Sequence, residues 1–297
     1  MVIMERIALT RKSRLGESMP YSVRRMVKRE IGVYSICLTL FFFLMSCGTA
    51  EKAAKKEAAK GNPAPAVRKP RSPDIVIRFG SIALSTLNRK LDMSDIRQLS
   101  TVLRKDTVDI LAMQNITRYP DLPDREDIVS DLQRATGMYA VFGETVSLNG
   151  RQNGNATFSY YPIQSRQNTP YQNLHSLNFE SAFQTIIDCG AQTVVVVSTL
   201  LPDKTTLDEQ SSIVTALENF STFYVDHPII IGGNLPRADF VRSMTRYNDV
   251  HALPPGDASR IWYSKTDDLL PLHIKTERIS LGVISIAEFA VFRSSNH

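Results

Sequence analysis

At 297 residues, 43% of them hydrophobic, the chain is long enough to bury a large core in one or two domains. Its formal charge of +5 is unevenly spread: residues 1–74 hold 15 Lys and Arg against 6 Asp and Glu, whereas residues 75–297 hold 20 against 24. The body is therefore mildly acidic, which argues against a nucleic-acid binder with its basic footprint on the folded domain, and three cysteines do not make a disulfide framework.

The first element is a leader. Arg24, Arg25, Lys28 and Arg29 form a positive cluster ahead of the uncharged apolar run Ile31–Leu44. That run is short for a membrane span and suits the h-region of a signal peptide. It ends in Leu44-Met45-Ser46-Cys47, which resembles the bacterial lipobox and makes Cys47 the expected lipid acceptor. The 25 residues before Met26 are unusual for a signal, and Met19 or Met26 is the expected start. Residues 1–46 are thus read as the signal and 47–74 as a lipidated cysteine with a flexible tether. The tether is rich in Ala, Lys and Glu, then in Pro. Gly48 after the acceptor provides no Asp-type retention signal, so the expected location is the outer membrane of the cell envelope.

Residues 75–297 alternate strand and helix signals. Ile75–Leu84 is β-rich, and Ser94–Leu103 has an N-cap Ser and a helical apolar face at Ile96, Leu99, Val102 and Leu103. Val108–Met113 is a continuous apolar run and reads as a buried strand. A helix is expected over Arg125–Thr136, stopped at Gly137, followed by strands Tyr139–Phe142 and Ala156–Tyr160 around a Gly- and Asn-rich loop. Thr185–Asp188 and Thr193–Thr199 form a hairpin across Cys189, Leu207–Tyr224 a helix, Pro228–Ile231 a strand and Asp239–Tyr247 a short helix. Strands at Ile261–Tyr263, Leu272–Ile274 and Phe289–Phe292 close the series. Paired strands mixed with helical crossovers suggest two packed sheets with helices outside.

The acids Asp121, Asp124, Glu126, Asp127 and Asp131 lack the Gly turn and alternating ligands of a calcium loop and read as a solvated loop and first helical turn. Cys189 has no basic neighbour in sequence and reads as a buried, inert thiol. His227, before Pro228, reads as a surface loop residue.

Gly137–Gly143, Gly154-Asn155-Ala156 and Ser159-Tyr160-Tyr161-Pro162-Ile163, in that order, resemble the middle of the endonuclease/exonuclease/phosphatase (DNase I-like) family, and counterparts extend over Ile75–Phe292. The resemblance implies an α/β (α+β) four-layer sandwich, with two mixed β-sheets packed face to face between helices. It also implies phosphoester hydrolysis on a divalent metal, usually Mg²⁺, with His-Asp and Asp-Asn pairs activating water.

The residues on which that chemistry depends have different counterparts here. Ala83 takes the place of the first-strand Asn, and Asn115 the place of the metal-binding Glu after Leu-Gln. Leu200 takes the place of a His, Asn234 and Pro236 those of the Asp and Asn in Gly-Asp-Phe-Asn, Trp262 that of the Asp in Ile-Asp-Tyr, and Ala287-Glu288 that of the terminal Asp-His. With the acids neutralised, no cofactor is expected. Mg²⁺ enters only under the alternative of a phosphodiesterase or phosphatase with an altered site. Gln114, Asn115, Arg151, Asn155 and Asn234 are the candidates for a vestigial neutral pocket, and Asn149–Asn155 for a contact surface. The expected function is that of an envelope lipoprotein, a pseudoenzyme serving as a binding or structural component of a membrane-associated assembly. Its expected contacts are the membrane, through the lipid, and an envelope protein.

Overall fold

The computed structural model describes residues 72–84, 92–119, 127–171, 181–200, 206–234, 244–250 and 259–293. The described residues all belong to one compact unit, residues 71–297. The proposed acceptor Cys47 lies outside them, as do Pro236 and the acids Asp121, Asp124 and Glu126.

In chain order the strands are β1 (Ile75–Ala83), β2 (Ile110–Arg118), β3 (Tyr139–Leu148), β4 (Arg151–Ser159), β5 (Ile163–Pro170) and β6 (Ser181–Asp188). They continue with β7 (Thr193–Leu200), β8 (Ile229–Asn234), β9 (Tyr247–Asp249), β10 (Arg260–Ser264), β11 (Leu269–Ile279) and β12 (Gly282–Val291). The described helices are α1 (Met93–Lys105), α2 (Ile128–Thr136) and α3 (Leu207–Phe223). One sheet has the order β11-β12-β1-β2-β4-β3 and the other β5-β6-β7-β8-β10-β9. Both are mixed. The parallel pairs β1/β2 and β7/β8 are those whose connections contain α1 and α3, as parallel pairing demands a crossover.

Strand periodicity explains the layering. In β1 and β2, Ile77, Phe79, Ile110 and Ala112 point inward and meet Val194, Val196, Ile230 and Ile261 of the second sheet. The intervening Ile82, Leu111 and Met113 point outward, beneath Ile96, Leu99 and Leu103 of α1 and Leu132 of α2. On the far side, Val195, Val197, Ile229 and Ile231 pack against Ile213, Leu217 and Phe220 of α3. Each central strand is thus buried on both faces, which is why its sequence reads as a continuous apolar run. At 25 cal/mol per Å² or so, this three-part core supplies the main drive to fold.

Several boundaries differ from the sequence expectation, each for a local reason. Asp92, and not Ser94, caps α1: its carboxylate accepts from the N–H groups of Ser94 (2.8 Å) and Asp95 (3.0 Å). Asp95 returns a bond to the Asp92 N–H at 3.1 Å, and a carboxylate at the positive end of the helix outcompetes a hydroxyl. The helix expected from Arg125 starts at Ile128 behind the Asp127 cap, and it ends at Gly137 in the left-handed conformation, as expected.

The Gly- and Asn-rich stretch after Phe142 is strand on both sides of a two-residue turn. Asn149 (φ 54°) and Gly150 (φ 71°) both have positive φ, as a hairpin turn with the twist of its strands requires. Asn149–Asn155 is therefore a turn and the first half of β4 rather than a loop. β5 escaped notice because IQSRQNTP has no apolar alternation; it is a polar edge strand. Of the expected helix Asp239–Tyr247, residues 239–243 lie outside the described set, and Tyr247 begins β9.

Asp127 joins two elements. It caps α2 through the Val129 N–H (3.1 Å) and accepts from Arg118 Nε at the end of β2 (2.8 Å). Burial pushes its carboxyl upward, but the bonds from Arg118 and Ser130 outweigh this and hold it below the usual range. A lowered value means stability that is full above the ordinary carboxylate pKa and is lost as pH falls through it. Asp127→Ala is expected to lower the unfolding free energy by roughly 1–2 kcal/mol at neutral pH. Urea midpoints for the two proteins should converge in acid, below about pH 4.

Candidate functional site

The parallel pairs bring the carboxyl ends of β1, β2, β7 and β8 to one end of the sandwich. Ala83 pairs in register with Gln114, and Leu200 with Asn234. Asn155 of β4 lies opposite a bulge in β2, where Gln114 and Asn115 together occupy the space of one residue between Met113 and Ile116.

The floor of this end is a hydrogen-bonded layer without charge. Ser81, Gln114, Ser198 and Ser259 are fully buried. Gln114 Nε2 donates to Ser198 Oγ (3.0 Å), the Gly232 carbonyl (3.3 Å) and Ser81 Oγ (3.4 Å). Gln114 Oε1 accepts from Ser259 Oγ (3.1 Å), and Ser259 and Ser81 share a bond of 2.5 Å. Because Ser259 gives its proton to Gln114, Ser81 donates to Ser259. The three side chains close a ring in which each hydroxyl both donates and accepts, an arrangement that reinforces itself. The ring spans both sheets.

Two features make room for it. Gly232 lets the sheets approach closely: a Cβ there would lie 2.6 Å from Ser81 Oγ. Next to the ring, Asn155 Nδ2 donates to the carbonyls of Ser181 (3.2 Å) and Ser198 (3.3 Å), again across the sheets. On the outer face of β7, Tyr171 and Thr199 share a hydroxyl contact of 2.5 Å.

The residues singled out from sequence divide three ways. Gln114 and Asn155 belong to the buried layer, with their amides engaged by protein groups. Ala83, Asn115, Leu200 and Asn234 stand at the strand ends above it, each partly exposed. Arg151 lies at the exposed start of β4, where its Nε donates to Asn153 Oδ1 (3.1 Å), so the hairpin tip carries it.

Trp262 is fully buried opposite Ile231, in the cluster that packs under α3. It fills core.

Ala287 and Glu288 require correction. β12 runs antiparallel to β1, and they lie opposite Phe79 and Arg78. Those are four and five positions from Ala83, about 14–17 Å along the strand. The part of β12 beside Ala83 is Gly282, where a Cβ would lie 3.3 Å from the Ala83 carbonyl. Order along the chain does not carry the strand's direction. Glu288 instead accepts from Arg78 Nε at 3.1 Å and links β12 to β1.

Ser81, Ser198, Gly232 and Ser259 were not recognised from the sequence as a unit. The signal was present in the period of two: inward positions run Ile77, Phe79, Ser81 in β1 and Val194, Val196, Ser198 in β7.

A divalent cation needs anionic oxygens. The strand-end groups are an alanine, a leucine and neutral amides, and Asn115 Nδ2 donates to the Leu84 carbonyl at 2.9 Å. Among the described residues no group of three or more His, Cys, Asp or Glu side chains converges to hold a metal. The residues described at this end do not fit such an ion. Cys189 is buried, and burial, with Asp188 and Asp109 nearby, pushes its thiol up to about 12.

Comparison of the three-dimensional structure decides the architecture. An endonuclease/exonuclease/phosphatase from Bacteroides vulgatus superposes with TM-score 0.58 at 9% identity, over 73% of this chain and 99% of that one. One from Beutenbergia cavernae gives 0.57 at 11%, over 73% and 72%.

The chain has the endonuclease/exonuclease/phosphatase, or DNase I-like, fold.

The catalytic domain of human Nocturnin, solved with a bound sulfate anion, shares this fold with TM-score 0.56 at 15% identity, over 73% of this chain and 94% of that one. No protein-family model and no curated protein matches the sequence. The two-sheet architecture expected from the sequence is thus that of the endonuclease/exonuclease/phosphatase fold. At these identities the likeness concerns the fold.

The layer makes a stability prediction. Gln114→Leu leaves the Ser198 and Ser259 hydroxyls without their amide partner and is expected to cost about 1–3 kcal/mol. Gln114→Glu, of similar shape, should cost more, because it places a carboxylate among buried groups with no cation beside it. Urea unfolding followed by the fluorescence of Trp262, the single tryptophan, checks both.

Proposed function

We propose that this protein is an envelope lipoprotein, anchored through Cys47, whose DNase I-like domain is catalytically degenerate and serves as a binding or structural component of a membrane-associated assembly. The observation that supports this most directly is the uncharged strand end. Where phosphoester chemistry on this fold calls for carboxylates around a cation, the described side chains are Ala83, Asn115, Leu200 and Asn234 above a floor of amides and hydroxyls. Neutral groups that satisfy one another can neither hold the ion nor act as a general base. A fold does not dictate an activity, and a scaffold without its site keeps surfaces for interaction.

The signal-like run, the lipobox at Cys47 and the Pro-rich stretch before Ile75 favour lipidation and an outer-membrane location. The partner in this reading is another envelope protein.

The test uses the full chain in detergent. No turnover of a generic phosphodiester is expected with Mg²⁺ or Mn²⁺. Metal-dependent turnover abolished by Asn234→Ala would overturn the degenerate reading in favour of an altered-site hydrolase. Cys47→Ala should release the protein from membranes; retention would refute the anchor. A stoichiometric companion is expected on affinity isolation from solubilised envelope, and recovery of the lipoprotein alone would count against the assembly.

A further inference from the structure

Asn115 occupies the position where the family resemblance would put a metal-binding carboxylate, yet its surroundings describe a different task. It has φ 61°, in the left-handed region that Asn and Gly enter far more readily than other residues. It is the second residue of the β2 bulge, and the bulge needs that conformation to place two residues against Asn155 alone.

Three hydrogen bonds fix it there. Asn115 Nδ2 donates to the Leu84 carbonyl at 2.9 Å, the Leu84 N–H donates to the Gln114 carbonyl at 3.0 Å, and the Asn115 N–H donates to Asn155 Oδ1 at 3.4 Å. The side chain thereby ties the end of β1 to the bulge. The bulge sets the direction in which the neighbouring Gln114 enters the layer between the sheets.

We infer that Asn115 is a positioning residue, a clasp between the end of β1 and the β2 bulge that holds Gln114 in the neutral layer, and that a carboxylate at this position does not restore a cation site. A carboxylate has no proton to offer the Leu84 carbonyl, so two acceptors would face each other. Glutamate would in addition have to adopt the left-handed backbone at a steric cost. Adding the second acid, Asn234→Asp, does not change either point. The neutral strand end is therefore held by backbone geometry as well as by side-chain identity.

Thermal unfolding of the full chain in detergent, read by Trp262 fluorescence, separates clasp from vestige. Asn115→Gly and Asn115→Ala both lose the amide, but only glycine keeps the left-handed backbone without strain. The glycine variant is expected to melt above the alanine variant by roughly 2–4 °C, and both below the wild type. The double variant Asn115→Glu/Asn234→Asp, titrated with Mn²⁺ and followed by the paramagnetic resonance of the free ion, should leave the signal undiminished at micromolar metal.

Equal melting of the glycine and alanine variants, or stoichiometric micromolar Mn²⁺ binding by the double variant, overturns the inference. Should the double variant fail to fold, the glycine and alanine pair decides. Hydrolysis by the wild type would remove the proposed function and leave this assignment standing, since it rests on the bulge alone.

Discussion

The ring formed by Gln114, Ser81 and Ser259 is the interaction on which the rest of this domain depends. Two sheets packed only through apolar side chains could slide, because Val, Ile and Phe tolerate small offsets. A fully engaged amide at the same interface does not, since any offset strands a buried donor or acceptor at a cost of the order of 1–3 kcal/mol. Gln114 reaches β1, β7, β8 and the residue before β10 at once. It therefore fixes the relative placement of the central strands, and the strand ends inherit their positions from it.

The same ring accounts for the neutral character of the described layer beneath the strand ends. Its hydroxyls and amide bond one another and carry no charge. The groups above it are neutral too, and one of them, Asn115, is committed to the backbone of Leu84. Beside this end, Arg260, opposite Gly233, pairs with Asp249 at 2.9 Å. Arg78, Glu288 and Asp109 cluster toward the other end, where burial holds the Asp109 carboxyl above its usual range and the Arg78 N–H bonds it at 2.8 Å. The basic excess of residues 1–74 and the acidic balance of residues 75–297 are in keeping with the proposed anchored module.

Much of the architecture was legible because β1, β2, β7 and β8 are buried on both faces and their sequences are unbroken runs of apolar residues. The helices were legible through their apolar stripes and through Gly137. Polar strands were less so: β5 shows no alternation, and the β3–β4 hairpin is half exposed, with Asn and Gly that look like loop until the turn at Asn149-Gly150 is seen to need them. That neutral amides stand at Asn115 in β2 and at Asn234 at the end of β8 could be read by position. Strand direction could not, which is why Ala287 and Glu288 were placed at the wrong end. Nor does the identity of a residue reveal whether its amide is free, and it took the φ of Asn115 to show a structural employment.

The proposed function rests on an uncharged layer beneath the strand ends of this DNase I-like domain, whose described residues offer no seat to a cation. Anomalous diffraction from crystals of the wild-type protein grown in Mn²⁺ tests it most directly. The account predicts no anomalous peak within coordinating distance of Gln114, Asn115, Asn155 or Asn234, with the Gln114–Ser81–Ser259 ring intact. An occupied manganese site bounded by Asn115 and Asn234, with the ring opened toward it, would contradict it.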